Sequence, residues 1–597
     1  MAISAIQGRE SAAGDLRLSQ QKEHRRAARM QRWFGPERIL WIILMIVVLA
    51  VSIAPLVFAV DASFYEETKV GLSDKRSLDA VLEVYFSREY LGYLANALAL
   101  SAVVTGLSLV VGVFMALLVA RTDLPRKGLM ELLVIMPLFV SPFTGLIAWI
   151  ALGSERTGFI NVAWVRFWQV FGVDAGPLVN IWSFGGVVWV MFLFFCPFVY
   201  LFTIGAMRNM DASLEEAARA SGAGPVYTLT RITIPMSTPA IFSAGLLVFI
   251  LAAELYTIPG IIGTNAGFTT LPWKIYEDST AFPVHRAHAA AAGTMILWIA
   301  LIGLLLQRRI TRRSERYVTM GGKGFKGQLL PLGGLKWPAF AVLALYVLSA
   351  DILPLFSIML SSFMRFSSAT ISLDLLTLDH YRTIWNLPDV RSATLNTFIL
   401  AVLSGAACVV IGFLISFLEV RRSGRGARLL ATLAVLPAAV PGMVYGIGLL
   451  WLYLRTPLYG SIWILLLAMI AKFLPYGVLV SRSGIMQVHP ELEQSARMSG
   501  ASPLRAVRAI LMPMVKPTVI ALLFFVMLQS IKELSASALL YGRNSQTLSV
   551  LTWHYMDGGE YQFASAVGVV QTALMIGLVL LTRSAFQVRL ERVMASE

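Results

Sequence analysis

Charge is scarce in this chain. Asp, Glu, Lys and Arg make up 14% of its 597 residues, against 57% hydrophobic residues and a mean hydropathy of +0.72. A soluble chain of this size needs far more polar surface, so the composition excludes a soluble globular protein and indicates a polytopic membrane protein. Cysteine is nearly absent as well. Cys196 and Cys408 both lie inside apolar runs, which excludes a disulfide framework and a thiolate metal site. No stretch satisfies the phosphate-binding pattern G-x-x-x-x-G-K-[ST]; "GGKGFKG", from Gly321, is rich in Gly and Lys but follows no strand. HExxH, CxxC and a strand-borne G-x-S-x-G are missing too. The expectation is a conduit rather than an enzyme, with no cofactor bound by this chain.

What is present is a series of long apolar runs. The net charge of +15 is not spread like a nucleic-acid footprint; the basic residues gather in short segments between apolar runs, as the positive-inside bias requires. The implied partner is a lipid bilayer, not nucleic acid. Runs long enough to cross lie at about 39–60, 93–119, 128–152, 181–206, 239–261 and 287–307, then 337–360, 394–418, 428–453, 460–480, 517–539 and 563–582. The expected fold is therefore all-α, with about twelve transmembrane helices in two sets of six. No cleavable signal precedes the first run, and the polar leader 1–38 carries Arg25, Arg26, Arg29 and Arg32. Placing it in the cytoplasm also puts Arg121, Arg126, Lys127 and "RRSGRGAR", from Arg421, on that side. Both termini are then cytoplasmic.

The halves repeat each other. A basic, Gly-rich stretch at 308–336 separates a first half at 39–307 from a second at 337–585, with a short tail at 586–597. Asn96, Gly112 and Arg121 are echoed at Asn396, Gly412 and Arg421, and "MPLFVSPFTG" finds a looser partner in "LPAAVPGMVYG". Six is even, so the repeats are parallel, related by an axis along the membrane normal.

The clearest repeat is polar. "SLEEAARASGAGPVYTLTRITIPMSTP" at 213–239 and "ELEQSARMSGASPLRAVRAILMPMVKP" at 491–517 share Leu, Glu, Ala, Arg, Ser, Gly, Ala, Pro, Ile, Pro, Met and Pro at the same spacing. Each follows the fourth run of its half. The residues predict a short helix with Ser213 as N-cap and Glu215 and Glu216 in its first turn, a stop at Gly222, and a second helix from Pro225. The order Glu216-Ala217-Ala218, Gly222 and Pro235 resembles the cytoplasmic "EAA" loop of the membrane subunits of binding-protein-dependent ABC importers. Gln494, Gly500 and Pro513 occupy the matching places in the second copy, with Glu215, Arg219, Glu493 and Arg497 alongside. The resemblance implies a fused, tandem permease of the bacterial inner membrane, working with an ABC ATPase dimer inside and a periplasmic substrate-binding protein outside. ATP would be used by the partner. Because Gln494 replaces Glu216, the two docking sites are expected to be unequal.

In the second half, Lys532-Glu533-Leu534 and Thr547-Leu548 are similar to the ferric-iron class of these permeases, and Glu254-Leu255 and Thr270-Leu271 agree loosely in the first. Thiamine, polyamine and aminoethylphosphonate importers share the framework, and an ion-coupled secondary transporter is the rival class. Glu254 and Glu533 fall some fifteen residues into matched runs, about 22 Å deep at 1.5 Å per residue. Intramembrane carboxylates face a cavity or a partner, so these two are candidate pathway residues. Lys532 is a possible neutraliser of Glu533. Asn96 and Asn396 are candidates either for holding helices together or for lining the pathway. His285 and His288 could share a helix face but lack a visible third ligand, so no metal site is expected.

Overall fold

The computed structural model describes residues 36–68, 71–314, 329–368, 372–422 and 424–586. The expected leader and tail lie almost wholly outside the described residues, as does the middle of the linker. Among the described residues, ten helices are long and apolar enough to cross a membrane, or twelve if each of two bent pairs counts as one span.

In the first half, α1 (Arg38–Ala62) leads into an antiparallel hairpin of β1 (Tyr65–Thr68) and β2 (Gly71–Arg76). There follow α2 (Arg88–Arg121), the bent pair Lys127–Phe139 with α3 (Pro142–Gly153), and α4 (Phe184–Asn209). A short α5 (Ala212–Ala220) precedes α6 (Pro225–Glu254), α7 (Leu271–Thr280) and α8 (Arg286–Ser314). The second half repeats this order: α9 (Gly333–Phe363), α10 (Pro388–Arg422), the bent pair Arg425–Ala438 with α11 (Gly442–Tyr453), and α12 (Ile462–Met486). Then come the short α13 (Pro490–Met498), α14 (Leu504–Ile531), α15 (Leu548–Asp557) and α16 (Tyr561–Phe586).

Two expectations need correction. The runs at 128–152 and 428–453 are not straight spans, because each bends sharply, by 101° and 108°. Pro137 and Pro142 flank the first bend, Pro437 and Pro441 the second. Proline removes a helix donor and pushes the residue before it towards extended backbone, and Ser141, before Pro142, sits at φ −68°, ψ 130°. The runs at 239–261 and 517–539 are not continuous either. Their helices stop at Glu254 and Ile531, and α7 and α15 lie beyond the breaks.

The halves are not separate bodies in space. Each sends its first span to the bent pair of the other: Tyr445 Oη donates to Ser52 O at 2.7 Å and Trp41 Nε1 to Gly426 O at 3.1 Å, while Ser357 Oγ donates to Ala148 O at 3.0 Å, and Tyr346 Oη reaches α4 at Leu193 O, 2.8 Å away. Small residues make the close approaches, as expected where lipid removes any hydrophobic drive between helices. The repeated Gly112 and Gly412 let α2 pack on α4 and α10 on α12: a Cβ on Gly112 would fall 2.8 Å from Val199 Cβ, and one on Gly412 2.3 Å from the Gly477 carbonyl carbon. Outward-facing side chains such as Ile46, Val57, Val110, Leu345, Phe356, Leu395 and Leu580 stay exposed and apolar, the surface a bilayer would cover.

The exchange of first spans is testable at Gly448, where a Cβ would lie 1.9 Å from Pro55 O. Overpacking of a filled site costs about 1–3 kcal/mol or more. Gly448→Leu should lower the thermal unfolding midpoint of the purified protein, whereas Gly106→Leu, with nothing within 4 Å of its Cβ position, should not.

Candidate coupling loops and gate

Each polar repeat folds as a helix-turn-helix between two spans. The cap of α5 is Asp211, not Ser213: the Asp211 side chain accepts from Ser213 N at 2.9 Å. Both residue types can cap, and the fold selects the earlier one. Gly222 closes the turn at φ +83°, a conformation that L side chains rarely adopt, and Gly500 does the same at φ +90°. Pro225 then opens α6, which continues through a π-turn at Leu229–Thr233 to Glu254 without leaving helix. One rod of about 45 Å, at 1.5 Å per residue, therefore joins the loop turn to the middle of the protein.

Of the adjacent carboxylates, Glu215 faces inward and Glu216 outward. Glu215 Oε1 lies 3.0 Å from Arg121 Nε and accepts from Thr233 Oγ1 at 2.8 Å, while Arg121 Nη2 donates to Met207 O at 2.7 Å. Arg121 thus fastens the end of α2, the end of α4 and α5 together. The second half repeats the clamp: Arg421 Nη2 lies 2.7 Å from Glu493 Oε1 and donates to Val488 O at 3.0 Å. Leu511 stands where the first copy has Thr233. The second clamp is also more open, with side chains 11% and 13% exposed against 2% and 5%. The exchange of Glu216 for Gln494 falls on exposed residues, so the inequality that the sequence suggested at that position does not touch either clamp. Large apolar side chains are exposed on both loops, including Leu214, Val226 and Tyr227 on one and Leu492, Met498 and Leu504 on the other.

The breaks after α6 and α14 meet at a buried polar centre. The Glu533 carboxylate accepts from Ala536 N at 3.0 Å, Ser537 N at 3.2 Å and Ser537 Oγ at 2.7 Å, so it supplies acceptors to amides that the broken helix leaves free. Lys472 Nζ lies 3.4 Å from Glu533 Oε1. Lys532, set against Glu533 by sequence, instead donates to Leu138 O at 2.8 Å across the halves. Glu254, half-buried, shares the field of Lys472 and Glu533. Beside it Tyr256, Trp273 and Tyr276 of the first half pack, tilted or edge-on, against Trp553 of the second at centroid distances of 5.4–6.2 Å, and Phe143 adds another contact at 5.4 Å. This aromatic plug closes the space between the breaks.

Both asparagines pin loops. Asn96 Nδ2 donates to Thr269 O at 2.9 Å, and Asn396 Nδ2 to Asn544 O and Gln546 O at 3.0 Å. Sequence reasoning did not find the Arg121 and Arg421 clamps, Lys472 or the plug. The echo of Arg121 at Arg421 was the available signal for the first, and a lone lysine inside an apolar run for the second.

Paired bent spans, paired loops on one face and a closed polar centre define a membrane transport component built by tandem duplication. The chain belongs to the family of binding-protein-dependent transport system inner membrane components, whose pattern matches residues 108–316 and again 408–596. It is therefore a fused, multi-pass inner-membrane permease of an ABC importer, and the ion-coupled alternative falls away. It is 26% identical over 500 residues, 82% of this chain and 70% of the relative, to the ferric transport system permease protein FbpB of Actinobacillus pleuropneumoniae. It is 24% identical over 551 residues, 92% and 99% of the two chains, to the Fe(3+)-transport system permease protein FbpB 2 of Haemophilus influenzae. A chain of the bacterial alginate ABC transporter, solved with its alginate-bound periplasmic protein, aligns with 42% of this chain and 97% of its own at 18% identity and a TM-score of 0.35.

Removing one partner of a buried ion pair costs about 3–5 kcal/mol, or a hundredfold or more in a local opening equilibrium. Arg121→Ala and Glu215→Gln should accelerate amide exchange across Ala212–Ser221 to roughly that extent. Glu216→Gln should leave it unchanged.

Proposed function

We propose that this permease imports ferric iron by alternating access, taking it from a periplasmic binding protein and driven by an ABC ATPase dimer docked on its two cytoplasmic loops. The observation that carries the docking is the pair of clamped helices, α5 and α13, in loops that expose large apolar side chains: Leu214, Val226 and Tyr227 on one, Leu492, Met498 and Leu504 on the other. Ala217, Ala218, Arg219, Gly222 and Pro235, with Arg497, Gly500 and Pro513, shape these loops; Glu215 and Glu493 hold them. Hydrolysis belongs to the partner. The basic segments at Arg126-Lys127 and Arg421-Arg422 support a cytoplasmic face here and cytoplasmic termini.

The iron assignment rests on the relatives named as ferric permeases and on Glu254 and Glu533, which offer hard oxygen ligands near the gate. Glu533 has a structural duty in the helix break, so Glu254 is the carboxylate better placed to meet a passing cation. Lys472 and Lys532 favour a second reading, an anionic substrate such as aminoethylphosphonate.

The test is ATP-dependent uptake of labelled ferric iron in cells carrying the permease with its own ATPase and binding protein. Deleting this chain should abolish uptake, and Glu254→Gln should reduce it at least tenfold while the ATPase still co-purifies. Undiminished iron uptake without the chain would refute the iron assignment.

A further inference from the structure

The hairpin and the start of α8 meet on the face away from the coupling loops. Arg121, at one end of α2, holds α5; Tyr90, about 46 Å away at 1.5 Å per residue, donates to Asp278 Oδ2 at 2.7 Å and packs its ring against His288, with centroids 6.1 Å apart. There the Glu67 side chain reaches from β1 to both histidines. Glu67 Oε2 lies 2.8 Å from His285 Nδ1 and 3.0 Å from His288 Nδ1, and the three ligand atoms all fall within 4.8 Å of one another. Glu67 Oε1 accepts from the His288 amide at 3.0 Å, which fixes the carboxylate.

The far side of His288 matters as much. Its Nε2 lies 3.0 Å from Glu83 Oε2, so in the neutral ring a proton on Nε2 satisfies that carboxylate and leaves Nδ1 with a lone pair turned towards Glu67. Nδ1 of His288 is buried and has no hydrogen-bond partner of acceptable angle despite the short distance. Three possible ligand atoms thus converge on one point, where protons on the rings or a cation between them balance the carboxylate.

We propose that Glu67, His285 and His288 bind a divalent first-row transition cation of the zinc type. Two imidazoles and one carboxylate form a donor set that suits such ions, and a carboxylate on the outer nitrogen of a ligating histidine is the usual way its ring is oriented. Bond lengths of about 2.0–2.1 Å in a tetrahedron place ligand atoms about 3.3 Å apart, so the Glu67–histidine separations of 2.8 and 3.0 Å need to widen by a few tenths of an ångström, and the two ring nitrogens lie within 4.8 Å of each other. His285, with a side chain 48% exposed, leaves the fourth position open to water. The bound ion fastens the hairpin after the first span to the last span of the same half. This proposal goes beyond the transport reading and does not rest on it.

The test uses the full chain in lipid nanodiscs, stripped with chelator and titrated with cobalt(II), whose visible absorption reports tetrahedral binding. One equivalent should bind and be displaced by zinc(II), with affinity at least tenfold weaker in His288→Ala and Glu67→Gln. X-ray absorption of the zinc-loaded wild-type protein, which needs no variant, should show two imidazoles in the shell. Absence of the cobalt band at millimolar metal, a shell without imidazole, or equal affinity in well-folded variants would overturn the site and leave protons as the occupants. Iron uptake measured separately reports on the transport reading whichever way the cobalt titration falls.

Discussion

An arginine at the end of a span, paired with a glutamate on a surface loop, is the contact on which this structure turns. Arg121 and Glu215 are almost wholly out of water, so each depends on the other and on the Met207 carbonyl and Thr233 hydroxyl to remain charged without loss. A hydrophobic pair would pack as well. It would not fix α5 in one register against two helix ends, which a multidentate guanidinium does. The second clamp, Arg421 with Glu493, keeps the geometry without a hydroxyl on the carboxylate, since Leu511 stands where the first has Thr233, and with more water.

From that clamp the route to the centre is a single helix in each half. α6 starts at the loop turn and ends at Glu254; α14 starts at the second turn and ends beside Lys532 and Glu533. Displacement of a loop can reach a break at the gate along one continuous helix, whose π-turn and interior proline, Pro239 in α6 and Pro517 in α14, lie near the loop end. The exchanged first spans bind the two halves through Tyr445, Ser52, Ser357 and Ala148, so motion of one half is felt in the bent pair of the other. The aromatic cluster beside the breaks joins four rings of the first half to Trp553 of the second.

Much of this was legible beforehand, and the limits have physical causes. Membrane class, two halves and the paired loops follow from hydropathy and from identities at fixed spacing, which survive without knowledge of contacts. The bends at Pro137–Pro142 and Pro437–Pro441 did not show, because apolar runs read the same whether the helix is straight or folded back. Ser213 is expected as the cap from its residue type, but Asp211 two residues earlier can accept an amide hydrogen equally well, and only the backbone decides. Glu215 and Glu216 are neighbours whose roles differ by the 100° that separates successive helical residues. His285 and His288 could be paired by spacing, but Glu67 lies more than two hundred residues earlier, and no periodicity connects them.

The central claim is that the clamps transmit work from the loops to the gate. The direct measurement is the ratio of substrate imported to ATP hydrolysed by the complete complex in proteoliposomes, with wild-type permease and with Arg121→Gln/Arg421→Gln. The expected result is assembled complex that still hydrolyses ATP while the ratio falls at least tenfold. An unchanged ratio, with the loops shown to be loosened, would contradict it.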